Sequence, residues 1–438
     1  MKRAETVAAR GLKEIVWWGT YDKGKPRTRI LLRGLRESGV DVMECHRDVW
    51  GAIADKSQVK AGWTRVCLLV RWLSAYPALV LRYLLLPPHD VVMVGYLGHL
   101  DVLVLWPFAR LRGARIAWDA FLSLYDTVVE DRALVGHRNP LAWLLYAWDW
   151  LAGRAADIVV LDTAAHGRYF VERFNLQPEK VRRVFVGAET ELFAPIGPEG
   201  ALGRQPTVRS ASRESPRPSR ERDQLGWRTE RLPGQPSTSD GSSDRHPGPA
   251  MNSDHGVATI LFYGQFIPLH GIETIVRAAR LSQGKPWRWI LIGRGQEEER
   301  IGDELRRHPL DNLEWIPWVR YEDLALWIRR ADVCLGIFGD GAKAGRVIPN
   351  KVFQIIAAGK PLVTRDSPAI RELVSADEPG IRLVPPADPH ALVCAVEALV
   401  ADPSVGGSEQ HGQLLRKITP RAIGANLAEI VESGWAGA

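Results

Sequence analysis

Short apolar segments alternate with helical patterns along this chain, and the alternation runs in two separate series. Strands that alternate with helices form parallel sheets, because each helix carries the chain back to the same end of the sheet. The first series predicts strands at residues 14–18, 40–44, 90–94, 115–118, 157–161 and 182–186. The second series predicts strands at residues 259–263, 288–292, 313–316, 333–337, 361–364 and 381–384. We therefore predict the α/β fold class, with two Rossmann-like parallel-sheet domains.

The segment between the two series has a different composition. Residues 196–256 are rich in Arg, Ser, Pro and Gly and contain few apolar side chains. Such a segment cannot bury enough apolar surface to offset the entropy of ordering its backbone. We therefore predict a disordered interdomain insertion at 196–256, between domains at 1–195 and 257–404. A helical segment at 405–438 follows, with its last helix at 422–433.

One predicted helix, at residues 141–152, has a marked beginning and end. Asn139 is a favourable N-cap, Pro140 fits the first helical position, and Gly153 fits the position after the last turn. An earlier helix is predicted at residues 27–38. Both helices separate predicted strands of the first series, as the parallel arrangement requires.

The charge of the chain bears on its partners. The net charge is +6 at pH 7 and the sequence pI is about 9.2, values that can indicate nucleic-acid binding. Residues 204–246 hold nine Arg against six acidic residues, so this segment supplies +3 of the +6. The rest of the chain is only mildly basic, and we predict no nucleic-acid partner.

The cysteines and the N-terminus bear on location. The four cysteines lack metal-ligand spacing and stand among apolar residues: Cys45, Cys67, Cys334 and Cys394. This pattern predicts buried free thiols in a reducing compartment, and no metal site. The first residues show neither a long apolar segment nor a small-residue cleavage site. We therefore predict a cytoplasmic location.

Three cations lie close to the start of one predicted helix. Asn350 is the predicted N-cap, residues 352–358 form a helical run that is apolar apart from Gln354, and Gly359 fits the left-handed position after the helix. Lys351 then lies in the first turn, where a positive charge costs a few tenths of a kcal/mol unless an anion binds there. With Lys343 and Arg346 nearby, the segment predicts a phosphate site; a solvated basic loop is the alternative.

Residues 262–274, 291–295, 331–336 and 350–361 together resemble a known family. In this order they look like the C-terminal half of GT-B glycosyltransferases of the retaining group 1 family, glycosyltransferase family 4. Residues 118–126, 161–163 and 186–193 resemble the N-terminal half of a branch of that family. The resemblance implies two domains facing a cleft, with the acceptor bound by residues 1–195 and the nucleotide-sugar by residues 257–404. It implies transfer of a sugar from a nucleoside diphosphate sugar, as co-substrate, to a glycan, lipid-linked or other hydroxyl acceptor. Retention at the anomeric carbon, no cofactor or bound metal, and a role in polysaccharide biosynthesis are also implied.

The sequence departs from the family at several donor-binding positions. Two glutamates usually stand eight residues apart, one toward the sugar and one toward the ribose, and here those places hold Arg346 and Gln354. A Gln carbonyl still accepts a hydrogen bond from a ribose hydroxyl. An Arg and a Lys of the family are replaced by Gln265 and His270. We predict that Lys343, Arg346 and Lys351 supply the cations instead, with Lys351 as the main diphosphate contact.

Glycines after strands favour the close approach of a diphosphate to backbone amides. Gly264 and Gly271 follow the first strand of the second series, and Gly19 follows the first strand of the chain. We predict that Gly19 and Gly264 bind donor, together with His270. Ordinary turn glycines and an ordinary loop histidine would give the same pattern.

Asp119 is the candidate catalytic residue, because it follows the strand predicted at 115–118, where α/β folds place functional groups. It would meet the acceptor hydroxyl or the donor sugar; an N-cap or turn aspartate is the alternative. Tyr125, Asp126 and Asp162 are further candidates of the same kind.

Other functions remain open to different degrees. A dinucleotide oxidoreductase is disfavoured, because Glu298 stands where the third glycine of GxGxxG belongs and no such fingerprint follows the strand predicted at 14–18. A non-catalytic nucleotide-sugar-binding scaffold is suggested by the altered glutamate pair, and a nucleotide-sugar epimerase would use the same fold. The nucleotide is not fixed by the sequence; we expect UDP or GDP.

Residues 66–86 are nearly all apolar and bear on membrane contact. Arg71 and Arg82 make a membrane span unfavourable, since a central Arg costs about 2.5–3.5 kcal/mol on insertion scales, and Pro77 interrupts the segment. Two interpretations remain: a cationic, Leu- and Trp-rich surface peripheral to the cytoplasmic face of the membrane, or a helix packed in the core.

Overall fold

The computed structural model describes residues 12–49, 63–195, 256–375, 377–405 and 410–433. Residues 196–255 lie outside these ranges. The predicted disorder of the insertion therefore concerns residues that the structure does not describe.

The first sheet has six parallel strands in the order β2-β1-β3-β4-β5-β6. Its strands are β1 (Glu14–Gly19), β2 (Asp41–His46), β3 (Val91–Val94), β4 (Arg115–Asp119), β5 (Ile158–Leu161) and β6 (Val181–Arg183). Its helices are α1 (Pro26–Glu37), α2 (Trp63–Leu84), α3 (His99–Arg112), a π-helix (Asp126–Asp131), α4 (Pro140–Ala155), α5 (Ala164–Phe174) and α6 (Thr190–Phe193). A parallel sheet covered on both faces needs apolar side chains on both sides. The consecutive residues Trp17 and Trp18 of β1 are accordingly both fully buried, in separate apolar clusters.

The second sheet repeats this architecture, with six parallel strands in the order β12-β11-β10-β7-β8-β9. Its strands are β7 (Ala258–Tyr263), β8 (Trp287–Ile292), β9 (Leu313–Ile316), β10 (Val333–Leu335), β11 (Leu362–Arg365) and β12 (Ile381–Val384). Its helices are α7 (Ile272–Leu281), α8 (Glu298–Arg307), α9 (Tyr321–Arg330), α10 (Asn350–Ala357) and α11 (Pro389–Ala401). The predicted α/β class with two Rossmann-like parallel sheets is confirmed.

The two halves share apolar packing. Val186 and Phe193 of the first half are fully buried in one cluster with Val352 and Phe353 of α10. Two last helices follow, α12 (Gly412–Ile418) and α13 (Pro420–Ser433). Both sheets therefore lie in one compact unit.

Helix α13 returns to the first half and packs on α1. Gly34 and Gly424 meet at the crossing, where a Cβ on either residue would collide with the backbone of the other helix. Only glycine permits an approach this close. The end of the chain therefore covers the first sheet, although its sequence follows the second.

Several details differ from the sequence predictions. Asn139 caps α4 and Pro140 begins it, as predicted, but the helix continues through Gly153 to Ala155. Gly153 is buried, and a Cβ there would lie 2.9 Å from Leu176 Cδ1, so packing explains this glycine. Two of the four cysteines, Cys67 and Cys394, are exposed rather than buried.

Candidate active site

A cavity of about 400 Å³ lies among loops that follow strands of both sheets. The first half contributes Phe121 after β4 and Asp162 after β5, and the second half contributes Gly264 after β7. In parallel α/β sheets, ligands bind at the carboxyl ends of the strands. This cavity is therefore the candidate active site, and both halves of the chain build it.

Lys351 extends into this cavity from the first turn of α10. The helix begins at Asn350 and its N-cap is Pro349, so the predicted cap at Asn350 is one residue too late. Lys351 is only 5% exposed, and its Nζ has no hydrogen-bond partner among the described residues. Nζ lies 3.7 Å from the centre of the Phe262 ring. Burial lowers the pKa of Lys351 well below its ordinary value. The amine of this cavity-lining residue therefore has no anionic partner among the described residues.

Gly264 and His270 lie beside the Lys351 amine. Gly264 has φ +142°, and a Cβ there would lie 2.8 Å from Lys351 Nζ and 3.2 Å from His270 Cε1. His270 Nδ1 donates to the carbonyl of Gln265. Burial, and then the charge of Lys351, lower the pKa of His270 well below its ordinary value. A neutral ring that donates through Nδ1 keeps Nε2 as an acceptor. Both predicted residues line the cavity beside Lys351.

Gln354, one turn along α10, also lines the cavity. Its Oε1 accepts a hydrogen bond from the Tyr263 hydroxyl at 2.9 Å, and its Nε2 donates to the Tyr321 hydroxyl at 3.1 Å. The Tyr321 hydroxyl donates in turn to Glu189 Oε2 at 2.7 Å. A carbonyl oxygen has two lone pairs, so Oε1 keeps one for a ligand hydroxyl. The network fixes the orientation of this amide.

Lys343 and Arg346 contact carboxylates of the first half rather than standing free beside Lys351. Lys343 Nζ donates to Thr127 Oγ1 at 2.6 Å and lies 3.5 Å from Asp126 Oδ2. Arg346 Nη2 donates to Asp126 Oδ1 at 2.6 Å. Lys343 remains on the cavity lining, whereas Arg346 does not. The π-helix supplies the counter-charge that the sequence analysis assigned to a phosphate.

Asp119 and Gly19 lie off the cavity lining. Asp119 is fully buried and accepts hydrogen bonds from Arg27 Nε at 2.8 and 3.0 Å. Gly19 has φ +125°, and a Cβ there would collide with Asp101; the amide of the next residue, Thr20, donates to Asp101 Oδ2 at 2.8 Å. The Asp119 carboxylate predicted to meet substrate is thus satisfied inside the fold, and Gly19 packs against Asp101.

The sequence analysis missed several residues of the cavity lining, among them Arg132 and His166. Arg132 Nε and His166 Nε2 are buried on the lining with no hydrogen-bond partner among the described residues. His166 Nδ1 lies 2.7 Å from Asp162 Oδ1. The spacing of Asp162 and His166 by four residues at a helix start was a visible signal. Arg132 follows an irregular π-helix, and its position has no periodic signal.

The comparisons with known proteins point in one direction. Residues 257–402 match the family model described as glycosyl transferases group 1. A relative in Escherichia coli (strain K12), the putative colanic acid biosynthesis glycosyl transferase WcaI, is 26% identical over 166 residues. That match covers 37% of this chain and 39% of the relative, so the chain aligns with well under half of the relative's length.

Solved glycosyltransferase structures share the fold over nearly the whole chain. The crystal structure of Anabaena Alr3699/HepE in complex with UDP has a TM-score of 0.59 at 13% identity, covering 96% of this chain and 100% of that one. Sucrose-phosphate synthase from Thermosynechococcus elongatus has a TM-score of 0.62 at 16% identity, covering 97% of this chain and 100% of that one. These similarities identify the two facing parallel sheets as the GT-B fold.

Proposed function

We propose that this chain moves a sugar from a nucleoside diphosphate sugar to a hydroxyl acceptor, since residues 257–402 match the glycosyl transferases group 1 model and the chain shares the GT-B fold. One observation carries the proposal: Lys351 Nζ is buried on the cavity without a partner among the described residues. A departing diphosphate gains negative charge, so a fixed cation stabilises the transition state more than the ground state. Arg132 adds a second cation from the first half.

The donor we propose is a UDP-sugar or a GDP-sugar. Anabaena HepE, which shares the fold, has been crystallised with UDP and with UDP-glucose. That precedent supports testing UDP first. The free lone pair of Gln354 Oε1 on the cavity suits a ribose hydroxyl, which supports the predicted ribose contact.

Retention at the anomeric carbon and a reaction without metal are further parts of the proposal. Both are expected from the resemblance to the retaining group 1 family. Within the described ranges, no group of three or more His, Cys, Asp or Glu side chains is arranged to hold a metal ion. Proton NMR of the first-formed product would show whether the anomeric configuration is kept, and EDTA should leave turnover intact.

The acceptor we propose is a growing glycan or a lipid-linked sugar. The name of the E. coli relative refers to colanic acid biosynthesis, which supports a polysaccharide acceptor.

A ligand panel tests the donor proposal. Thermal unfolding would be followed with UDP, GDP, ADP and TDP and with their sugar conjugates. A ligand at about a hundred times its dissociation constant adds about 2.7 kcal/mol of stability, which is a clear shift. We expect one nucleotide to raise the melting temperature and its sugar conjugate to release free diphosphate. No shift with any nucleotide would contradict the proposal, and binding without turnover would favour a non-catalytic scaffold.

We also propose that the protein lies peripherally on an anionic membrane surface through α2. The 18-residue window Cys67–Leu84 is long and apolar enough to cross a membrane by composition, with mean hydropathy 1.2, yet only 22% of it is buried. The core-packing interpretation therefore holds for one face of this helix and leaves the other face exposed. Three of its side chains are at least half exposed: Leu69, Val70 and Leu81. An apolar surface of this kind marks an interaction site.

The other face of α2 attaches it to the first sheet. Tyr76, Leu79 and Tyr83 are buried in the apolar core, and Trp18 Nε1 donates to the carbonyl of Leu79 at 3.4 Å. These contacts hold one side of α2 against the protein along its length, so its opposite side is free to lie flat on a surface. Lying on a bilayer therefore fits this packing better than crossing it.

The sequence around α2 is cationic, which supports an anionic lipid as the occupant of its exposed face. The sequence contains no acidic residue between Asp55 and Asp90, but five basic residues: Lys56, Lys60, Arg65, Arg71 and Arg82. A cationic segment with exposed leucines binds anionic headgroups and inserts its apolar side chains between them.

Vesicle flotation tests this surface. We expect flotation with vesicles that contain phosphatidylglycerol, weaker flotation with phosphatidylcholine alone, and loss of binding in the double variant Val70→Glu/Leu81→Glu. Leu281→Glu, an exposed leucine of the second half, is the matched control. Equal flotation of the double variant would contradict the proposal, as would a dimer that dissociates only when these residues are changed.

A further inference from the structure

Asp162 and His166 form a buried pair on the wall of the cavity. Asp162 follows β5, and Thr163 is the N-cap of α5, with its Oγ1 accepting from the His166 amide at 3.0 Å. This cap turns the imidazole back toward Asp162, whose Oδ1 lies 2.7 Å from His166 Nδ1. Both side chains are almost completely buried, and both residues line the cavity.

The pair defines which ring nitrogen carries the proton. A carboxylate oxygen accepts hydrogen bonds, so Nδ1 is the donor in this contact. In the neutral imidazole the other nitrogen, Nε2, is then an acceptor with a free lone pair. His166 Nε2 is buried and has no partner in the described part of the chain. A histidine kept only for packing would not need a carboxylate that fixes its tautomer.

The helix that carries His166 is anchored by the second half of the protein. Glu372 accepts hydrogen bonds from the amides of Ala164 and Ala165 at 2.7 and 2.8 Å. Thr163 Oγ1 donates to the carbonyl of Arg346. The amides at the start of α5 are therefore already occupied, and the free imidazole nitrogen is the group left to meet a ligand.

The second half of the protein contributes an amine, Lys351, and a side-chain amide, Gln354, to the cavity lining, both from α10. If these two residues hold the nucleoside diphosphate, the sugar and its acceptor extend toward the first half. We propose that His166 Nε2 accepts a hydrogen bond from a substrate hydroxyl there, and that Asp162 is a positioning residue that holds the proton on Nδ1. The proposal rests on the glycosyltransferase function proposed above. The hydroxyl belongs either to the transferred sugar or to the acceptor, and kinetics separates the two.

Three variants test the pair. His166→Phe keeps a ring but removes the acceptor nitrogen. His166→Gln offers an amide oxygen in its place and is expected to restore part of the function. Asp162→Asn keeps the size of the side chain, but its amide can donate to Nδ1 and move the proton to Nε2, which turns the acceptor into a donor.

The readouts are binding of UDP and turnover of UDP-glucose. If the ligand panel selects another nucleotide, that nucleotide and its sugar conjugate take their place. We expect His166→Phe and Asp162→Asn to bind UDP as tightly as the wild type, while kcat/KM falls about tenfold or more, as for a lost hydrogen bond. Weaker UDP-glucose binding would place the hydroxyl on the transferred sugar, whereas a raised KM for the acceptor would place it on the acceptor.

Unchanged kinetics in both His166→Phe and Asp162→Asn would overturn the proposal. So would a fall in kcat/KM that is fully explained by weaker UDP binding. The proposal would also be overturned if His166→Phe lost activity only because it unfolds, while Asp162→Asn stayed fully active. Failure of the wild type to bind any nucleoside diphosphate would instead contradict the proposed function itself.

Discussion

Arg346 Nη2 donates to Asp126 Oδ1 at 2.6 Å, and this contact joins the two halves of the protein beside the candidate site. Asp126 is fully buried, Arg346 is 19% exposed, and the guanidinium also lies 4.0 Å from the centre of the Tyr169 ring. Position 346, where the resemblance to the family implies a sugar-binding glutamate, thus holds an arginine with a structural partner. The π-helix supplies that partner, Asp126, which also lies 3.5 Å from Lys343 Nζ.

Arg346→Ala should destabilise the protein by about 3 kcal/mol, because it leaves the buried Asp126 carboxylate with less compensation. Lys343 remains 3.5 Å away and limits the loss. The free energy of unfolding from urea titration measures the effect. Arg371→Ala, which breaks an exposed pair with Asp366, is the control and should leave the midpoint unchanged. Equal behaviour of the two variants would show that the interface pair contributes nothing.

Lys351→Ala should weaken nucleoside diphosphate binding about tenfold or more, as expected for a lost hydrogen bond to a charged group of about 1.5–3 kcal/mol. Calorimetry of the nucleotide chosen by the panel measures it. Lys417→Ala, an exposed lysine off the cavity lining, is the control. Wild-type affinity in the Lys351 variant would remove this residue from the site.

Nucleotide binding should be coupled to proton uptake. In the free protein, burial lowers the pKa of Lys351, and a bound diphosphate should raise it again by favouring the ammonium form. The pKa of Lys351 is therefore higher in the complex than in the free protein. Nucleotide affinity is at its maximum below the pKa of Lys351 in the free protein, and it is lost as pH rises through the pKa of Lys351 in the complex. Calorimetry in buffers of different ionisation enthalpy should report the uptake. Buffer-independent heats, or affinity that rises with pH, would contradict this coupling.

Gly264→Ala should abolish most nucleotide binding, because its Cβ would lie 2.8 Å from Lys351 Nζ and displace the amine. Its φ of +142° adds backbone strain. Gly284→Ala separates the two effects: it also has positive φ, +85°, but nothing lies within 4 Å of its Cβ. We expect the control to lose about 1–2 kcal/mol of stability and to keep its nucleotide affinity. Equal binding losses in both variants would mean that strain, and not the collision, is responsible.

The sequence determined the fold class and the position of Lys351. Apolar runs such as the one that ends at Trp18 alternate with helical patterns, and this predicted parallel strands because each helix carries the chain back to the same end of the sheet. The breaks at Asn139 and Gly359 predicted helix boundaries, since capping is a local property of the backbone. Helix α4 continues through Gly153, where a helix end was predicted, because Leu176 packs against this glycine although it is distant in sequence.

Only the tertiary structure decided which of the predicted site residues meet at the cavity. The sequence treats Lys343, Arg346 and Lys351 alike, since nothing in the local pattern says which carboxylate will lie opposite each cation. The fold brings Asp126 to the first two and gives Lys351 Nζ no hydrogen-bond partner within the part of the chain that the structure describes. It also buries Asp119 with Arg27, because side chains 92 residues apart become neighbours when the sheet forms. Charge pairing acts through space, so a site built from two facing sheets is fixed only when both are in place.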